Sequence, residues 1–209
     1  MIPATTLQLL ESKFGEPKPI KRRTVSQHDE RTKENLIKNP CMIGADRMTV
    51  HNYAPVYSTF LPDNLNVLVE LGFLQGVGLA VWCELYPEAQ IIGLDIDGSY
   101  FIENLPFLFQ KDAFRLNQPI VNVFDELADN TAEITKILNG EKIDVMIDDA
   151  LHYDNAILKA FADFHPHMAK GGVYFIEDNR TVADKIAAKY PQYQVFSHGE
   201  ITVIKGFEG

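Results

Sequence analysis

Cysteine is nearly missing from this chain: 209 residues hold only Cys41 and Cys83. Two thiols make no disulfide framework, so stability must come from a core, and the expected compartment is the reducing cytoplasm. No apolar run approaches the ~20 residues that a membrane span needs. The opening Met1-Ile2-Pro3-Ala4-Thr5-Thr6-Leu7 lacks a basic stretch and soon meets Glu11, so no signal peptide is expected. Positive charge is scarce, with 19 Lys and Arg against 29 Asp and Glu, a net charge of -10. That balance argues against a nucleic-acid backbone or an anionic membrane as main partner. It leaves one small basic patch, Lys18, Lys21, Arg22 and Arg23. Internal repeats and low-complexity segments are absent.

What is present suits a globular protein. The apolar fraction is 46%, and a chain of this length buries about 70% of its unfolded surface without staples. Residues 1–45 are broken by Pro3, Pro17, Pro19 and Pro40. They read as a helical and loop cover: a helix over Thr6–Phe14, a basic loop, and a second helix near Glu30–Lys38. Residues 46–209 read as the main domain.

From Asn66 onward strands alternate with helices. Strands are expected at Asn66–Glu70, Ile91–Asp95, Ile120–Phe124, Ile143–Ile147 and Val173–Ile176. Helices are expected at Gly76–Tyr86, Ser99–Gln110 with a kink or break at Pro106, Glu126–Leu138, Asp154–Met168 and Val182–Tyr190. Tyr193–Ser197 and Glu200–Lys205 flank His198-Gly199 as a terminal hairpin. Continuously apolar strands alternating with helices predict a mostly parallel sheet covered on both faces, with antiparallel pairing at one edge.

Two acidic segments stand directly after expected strands: Ile147-Asp148-Asp149-Ala150-Leu151-His152 and Phe175-Ile176-Glu177-Asp178-Asn179. Carboxylates at buried strand ends are costly unless a cation sits among them, and strand carboxyl ends are where open α/β sheets bind ligands. A glycine-rich turn, Glu70-Leu71-Gly72-Phe73-Leu74-Gln75-Gly76-Val77-Gly78, joins the first of these strands to its helix. Gly72, Gly76 and Gly78 permit a sharp turn and close ligand approach, and the helix start offers free N–H groups. Asp95, Ile96 and Asp97 end the next strand, roughly 20 residues on, where a carboxylate accepts from ribose hydroxyls. Such a loop fits a dinucleotide, S-adenosylmethionine or a purely structural turn. The late position of the loop and the lack of a Tyr-x-x-x-Lys pair weigh against the dinucleotide. Glu70, before the first glycine, suits the positively charged methionine end of S-adenosylmethionine.

Val67–Asp97 resembles the first two motifs of class I S-adenosylmethionine-dependent methyltransferases. Asp148-Asp149-Ala150-Leu151-His152 and Gly171-Gly172-Val173-Tyr174-Phe175-Ile176-Glu177-Asp178 resemble segments of the macrocin and mycinamicin sugar O-methyltransferase family. So does Gly44-Ala45-Asp46-Arg47-Met48-Thr49-Val50-His51-Asn52-Tyr53-Ala54-Pro55-Val56-Tyr57. The family's Gly-Ser is replaced here by Ala150-Leu151. The resemblance implies a Rossmann-like methyltransferase fold with a seven-stranded sheet. It implies a divalent metal, usually magnesium, on Asp149, Glu177 and Asp178, and His152 as general base. His51, Tyr53 and Tyr57 would touch the methionine end or cover the cofactor, and Asp148 would shape its pocket. Phe124-Asp125 falls where this fold usually holds adenine.

The expected activity is methylation of a hydroxyl on a sugar, glycoside or similar small molecule, with a second subunit available to complete a short cover. Two other readings fit the same residues: a protein that binds the methyl donor without turnover, and a different reaction on the same fold, as in cephalosporin hydroxylase relatives. Each site residue also has a structural reading. Asp149 fits a helix cap, His152 a packed helix start, Glu177-Asp178 a solvated turn with Arg180, and Tyr57 the core.

Overall fold

The computed structural model describes residues 1–21 and 41–209. The second expected helix, Glu30–Lys38, and Arg22 and Arg23 lie outside the described residues. Among those described, helix α1 (Ala4–Phe14) leads into strand β1 (Lys18–Lys21), which pairs antiparallel with β2 (Cys41–Gly44). This two-stranded sheet stands in a cover for which the sequence suggested no strand. Its strands are four residues each, too short for a periodic signal to emerge.

After α2 (Ala54–Phe60) the chain alternates: β3 (Val67–Leu71), α3 (Val77–Leu85), β4 (Gln90–Asp95), α4 (Ser99–Gln110), β5 (Ile120–Val123), α5 (Thr131–Leu138), β6 (Ile143–Asp148), α6 (Asp154–Phe164), β7 (Met168–Ile176), α7 (Val182–Lys189), β8 (Gln194–His198) and β9 (Ile201–Lys205). Seven strands form one sheet in the order β5-β4-β3-β6-β7-β9-β8. Pairing is parallel from β5 through β7 and antiparallel at β9 and β8, as expected.

The two faces follow from side-chain alternation. Leu68, Val145, Ile147, Val173 and Phe175 face α1 to α4, with Leu7, Phe14, Tyr57 and Trp82 packed on them. Val67, Val69, Leu71, Met146, Tyr174 and Ile176 face α5 to α7, packed by Ile134, Phe161, Phe164 and Ile186. Each fully buried large side chain contributes on the order of 1.5–3 kcal/mol. Because β3, β4, β6 and β7 run parallel, their carboxyl ends share one edge, and Glu70, Asp95, Asp149 and Glu177 gather there.

Several details differ from expectation, among them the start of β7 at Met168 rather than Val173. Helix α5 starts at Thr131, because Asp125 Oδ1 accepts from Leu127 N at 3.0 Å and Asp129 Oδ1 from Thr131 Oγ1 at 3.3 Å, turning the chain locally. Helix α6 stops at Phe164 and gives way to a single 3₁₀ turn, His165–His167, at Pro166. Helix α4 continues through Pro106 without breaking; Ile102, whose carbonyl loses its partner, lies on the water side. On β5 the side chains of Ile120, Val121 and Val123 are exposed at the sheet edge. No helix among the described residues is long and apolar enough to cross a membrane.

Candidate functional site

The buried carboxylates at the strand ends do meet a cation, and it belongs to the chain. Arg47 is buried. Its Nη2 lies 2.7 Å from Glu70 Oε1 and 2.8 Å from Asp149 Oδ2, and its Nε lies 2.8 Å from Glu177 Oε2. Glu11 of α1 holds the loop that carries it, accepting from Met48 N at 2.8 Å and from Thr49 N and Oγ1 at 2.9 Å. The Arg47 guanidinium sits 5.8 Å from the Trp82 ring, and Trp82 Nε1 donates to Glu70 Oε2 at 3.2 Å.

Electrostatics follow this packing. Burial pushes the carboxyls of Glu70 and Glu177 upward, and Arg47 opposes the rise without cancelling it. At Asp149 burial is outweighed by Arg47 and His152, so its carboxyl is held below the usual range. Burial lowers the tendency of Arg47 to hold its proton, but Glu177 and Glu70 more than offset this and keep it charged. At His152 burial works against charge. The hydrogen bond and charge of Asp149, then Asp178 and Asp148, outweigh it and hold the imidazole up to about 9.

The glycine loop abuts this cluster. Gly72 has φ of 89° and packs on the Asp149 backbone, where any Cβ would overlap the Asp149 carbonyl. Asp149 N donates to Leu71 O at 2.9 Å. A cavity opens over the loop, lined by Gly44–Met48, Glu70, Gly72–Gln75, Val77, Gly78 and Asp149. Gly76 has φ of 76° at the start of α3, and Phe101 fills the space beside it. Asp95 accepts from Leu74 N and Asp97 N, both at 2.9 Å, while Asp97 accepts from Ser99 N. Ile96 is half-buried between them.

Asp178 sits across from Asp149, with His152 between: His152 Nε2 is 3.4 Å from Asp149 Oδ1 and Nδ1 is 3.9 Å from Asp178 Oδ2. Tyr53 donates to Asp178 Oδ1 at 2.6 Å. His51 stacks on Tyr53 and places Nδ1 3.5 Å from Asp178 Oδ1 and 3.8 Å from Glu200 Oε2, with Asp46 Oδ2 3.4 Å from its Nε2. Tyr57 is core, packed between Trp82 and Phe175, and its hydroxyl donates to Glu177 Oε1.

Several expected residues lie elsewhere. Phe124 is buried against Phe164 in the core of the opposite face, and Asp125 is an exposed turn residue whose Oδ1 accepts from Leu127 N. Neither lines the cavity. Asp148 also points to that far face, where its Oδ2 takes a long contact of 3.5 Å from Tyr174 and burial pushes it up to about 7. Alternation along β6 is the cause, since Asp148 shares the side of Met146. Glu70 is in place but faces Arg47, so its charge is already answered.

The chemistry of the donor set bears on a divalent ion. One guanidinium stands against three carboxylates, and hard oxygens suit magnesium or calcium. Among the described residues, metal-competent atoms within 4.8 Å of one another form two groups, Asp149–His152–Asp178 and His51–Asp178–Glu200. Asp149 and Asp178 fit the expected ion; Glu177 belongs to neither group. Arg47 is the residue that motif reading left without a role. The signal for it was the buried acid Glu70, which called for a fixed base in the segment ahead of the fold.

Comparison with known proteins agrees with this fold. A family model described as a methyltransferase domain matches residues 69–179, more than half of the chain. A rhamnosyl tetracenomycin-C 2'-O-methyltransferase of Streptomyces olivaceus is 24% identical over 174 residues, 78% of this chain and 42% of that protein. The mycinamicin VI 2''-O-methyltransferase of Micromonospora griseorubida is 28% identical over 103 residues, 49% of this chain and 23% of that protein. The chain thus spans less than half the length of these curated relatives. The structure of MycE methyltransferase in complex with Mg, SAH and mycinamycin VI superposes with a TM-score of 0.58 at 17% identity, covering 77% of this chain and 50% of MycE.

Proposed function

Since the chain belongs to the methyltransferase-domain family, we propose that it is an S-adenosylmethionine-dependent O-methyltransferase. Its acceptor is a hydroxyl of a sugar, glycoside or similar small molecule, and a divalent ion, most simply magnesium, assists at the strand ends. The observation that carries this reading is the contact of Gly72 with Asp149, which brings the glycine-loop cavity directly beside Asp149, His152 and Asp178 and so supports a donor pocket next to groups suited to an ion and a proton. The two curated relatives, by name a 2'-O-methyltransferase of a rhamnosyl tetracenomycin-C and a 2''-O-methyltransferase of mycinamicin VI, support the acceptor class.

Methyl transfer to oxygen needs alignment and a deprotonated acceptor. S-adenosylmethionine supplies an already activated methyl group, and a divalent ion lowers the pKa of a bound hydroxyl and offsets carboxylate charge around His152. The chain's own residues do the rest. The backbone of Leu74, fixed by Asp95, shapes the donor loop. Arg47 neutralises the carboxylates that line the cavity, so that Glu70 and Asp149 stay ordered. His152, half-exposed beside Asp149 and Asp178, is the base in this reading; it would take the acceptor's proton once it has shed its own, which a cation next to those two carboxylates would favour.

The test is transfer of labelled methyl from S-adenosylmethionine to a panel of glycosides, before and after EDTA. Transfer should fall by about tenfold or more with EDTA and return with Mg²⁺. Equal rates after EDTA would remove the ion from the reading. Tight donor binding with no transfer to any acceptor would favour a binding protein.

A further inference from the structure

Both carboxylate oxygens of Glu177 are committed. Oε2 accepts from Arg47 Nε at 2.8 Å and Oε1 from the Tyr57 hydroxyl, and all three side chains are buried. Arg47 cannot follow Glu177 elsewhere, because Glu70 and Asp149 hold its Nη2 and Glu11 pins its loop. Turning Glu177 toward an ion would leave a buried guanidinium and a buried hydroxyl each short of a partner. Asp149 is differently placed: Arg47 takes only Oδ2, leaving Oδ1 toward His152. Asp178 likewise gives Oδ1 to Tyr53 and keeps Oδ2 on the His152 side.

Resting on the metal-dependent reading above, we infer that a divalent ion in this chain is held by Asp149 and Asp178 beside His152, and that Glu177 is not a ligand. Glu177 is a positioning residue, acting through Arg47. The neighbouring group of His51, Asp178 and Glu200 shares Asp178 but lacks Asp149, the carboxylate that lines the cavity at the glycine loop. An ion serving that loop therefore belongs with Asp149.

Mn²⁺ binding to the full chain, followed by the loss of the free-ion EPR signal, tests this. Asp149→Asn and Asp178→Asn should each weaken Mn²⁺ binding by about tenfold or more, while Glu177→Gln and Glu200→Gln should each change it less than about threefold. Loss in Glu177→Gln as large as in Asp178→Asn overturns the inference while leaving a metal enzyme standing. Loss in Glu200→Gln with Asp149→Asn unaffected also overturns it. No Mn²⁺ binding to the wild-type chain removes both the inference and the ion; binding of S-adenosylhomocysteine then shows whether the donor reading survives. Should Glu177→Gln fail to fold, ENDOR on the wild-type Mn²⁺ complex decides. Coupling to ¹³C-carboxyl aspartate and none to ¹³C-carboxyl glutamate is expected, and glutamate coupling overturns it.

Discussion

Arg47 Nη1 lies only 2.6 Å from the point that a Cβ on Gly78 would occupy, and Glu70 closes off the same space. Gly78 is therefore needed for room, on a helix where its φ is ordinary. Gly78→Ala should destabilise the fold by about 1–3 kcal/mol through overpacking. It should also weaken S-adenosylhomocysteine binding, because the displaced pair lines the cavity. Denaturant melts and calorimetry measure the two effects separately.

Removing the guanidinium should cost more. Arg47→Met leaves Glu70 and Glu177 buried, and Asp149 part-buried, without their shared partner, a loss on the order of 3–5 kcal/mol. Pairing it with Glu177→Gln removes one of the stranded charges and should recover part of that loss. A chemical melt of the two single variants and the double variant reads the coupling directly.

Asp95 holds two backbone amides at once, those of Leu74 and Asp97. Asp95→Ala frees both and loosens the donor loop, so S-adenosylhomocysteine affinity should drop by about tenfold or more, at roughly 1–3 kcal/mol for the stranded donors. Asp97→Ala releases only Ser99 N and should do less. Isothermal calorimetry on both variants ranks them.

The 3₁₀ turn after α6 predicts an acid-side weakness. Burial lowers the pKa of His165, assisted by the charges of His167 and Lys189, and burial with Lys142 lowers that of His167. A histidine with a depressed folded value takes up its proton more readily when unfolded. Its contribution is therefore complete above the ordinary value of 6.5 and is lost as pH falls through the folded value. These two histidines therefore add a downward slope in melting temperature as pH drops below neutrality, opposed by the raised carboxyls of Asp148, Glu70 and Glu177. His165→Phe keeps the stack on Phe161 and should flatten that slope; an unchanged slope would disprove the assignment.

Much of the fold was readable because it rests on local signals. Apolar strand runs, Gly72 and Gly76, and the acids that close β4, β6 and β7 each announce themselves within a few residues. What escaped depends on distance along the chain. Arg47 meets Asp149 across 102 positions and Glu177 across 130, and no spacing rule reaches that far. Phe124 looked like a ring for a ligand, yet which face it occupies depends on how the strand end turns, and it turns into the α5–α7 core. Asp148 and Asp149 are adjacent and acidic, but strand alternation sends them to opposite sides of the sheet, so only one belongs to the cluster.

Trp82 is the chain's single tryptophan. It is wholly buried, hydrogen-bonded to Glu70 and within ring contact of Tyr57. The indole thus senses the charge state of the whole buried network from beneath. Its emission provides a label-free optical reporter, one signal from one place, for any event that moves or neutralises those carboxylates.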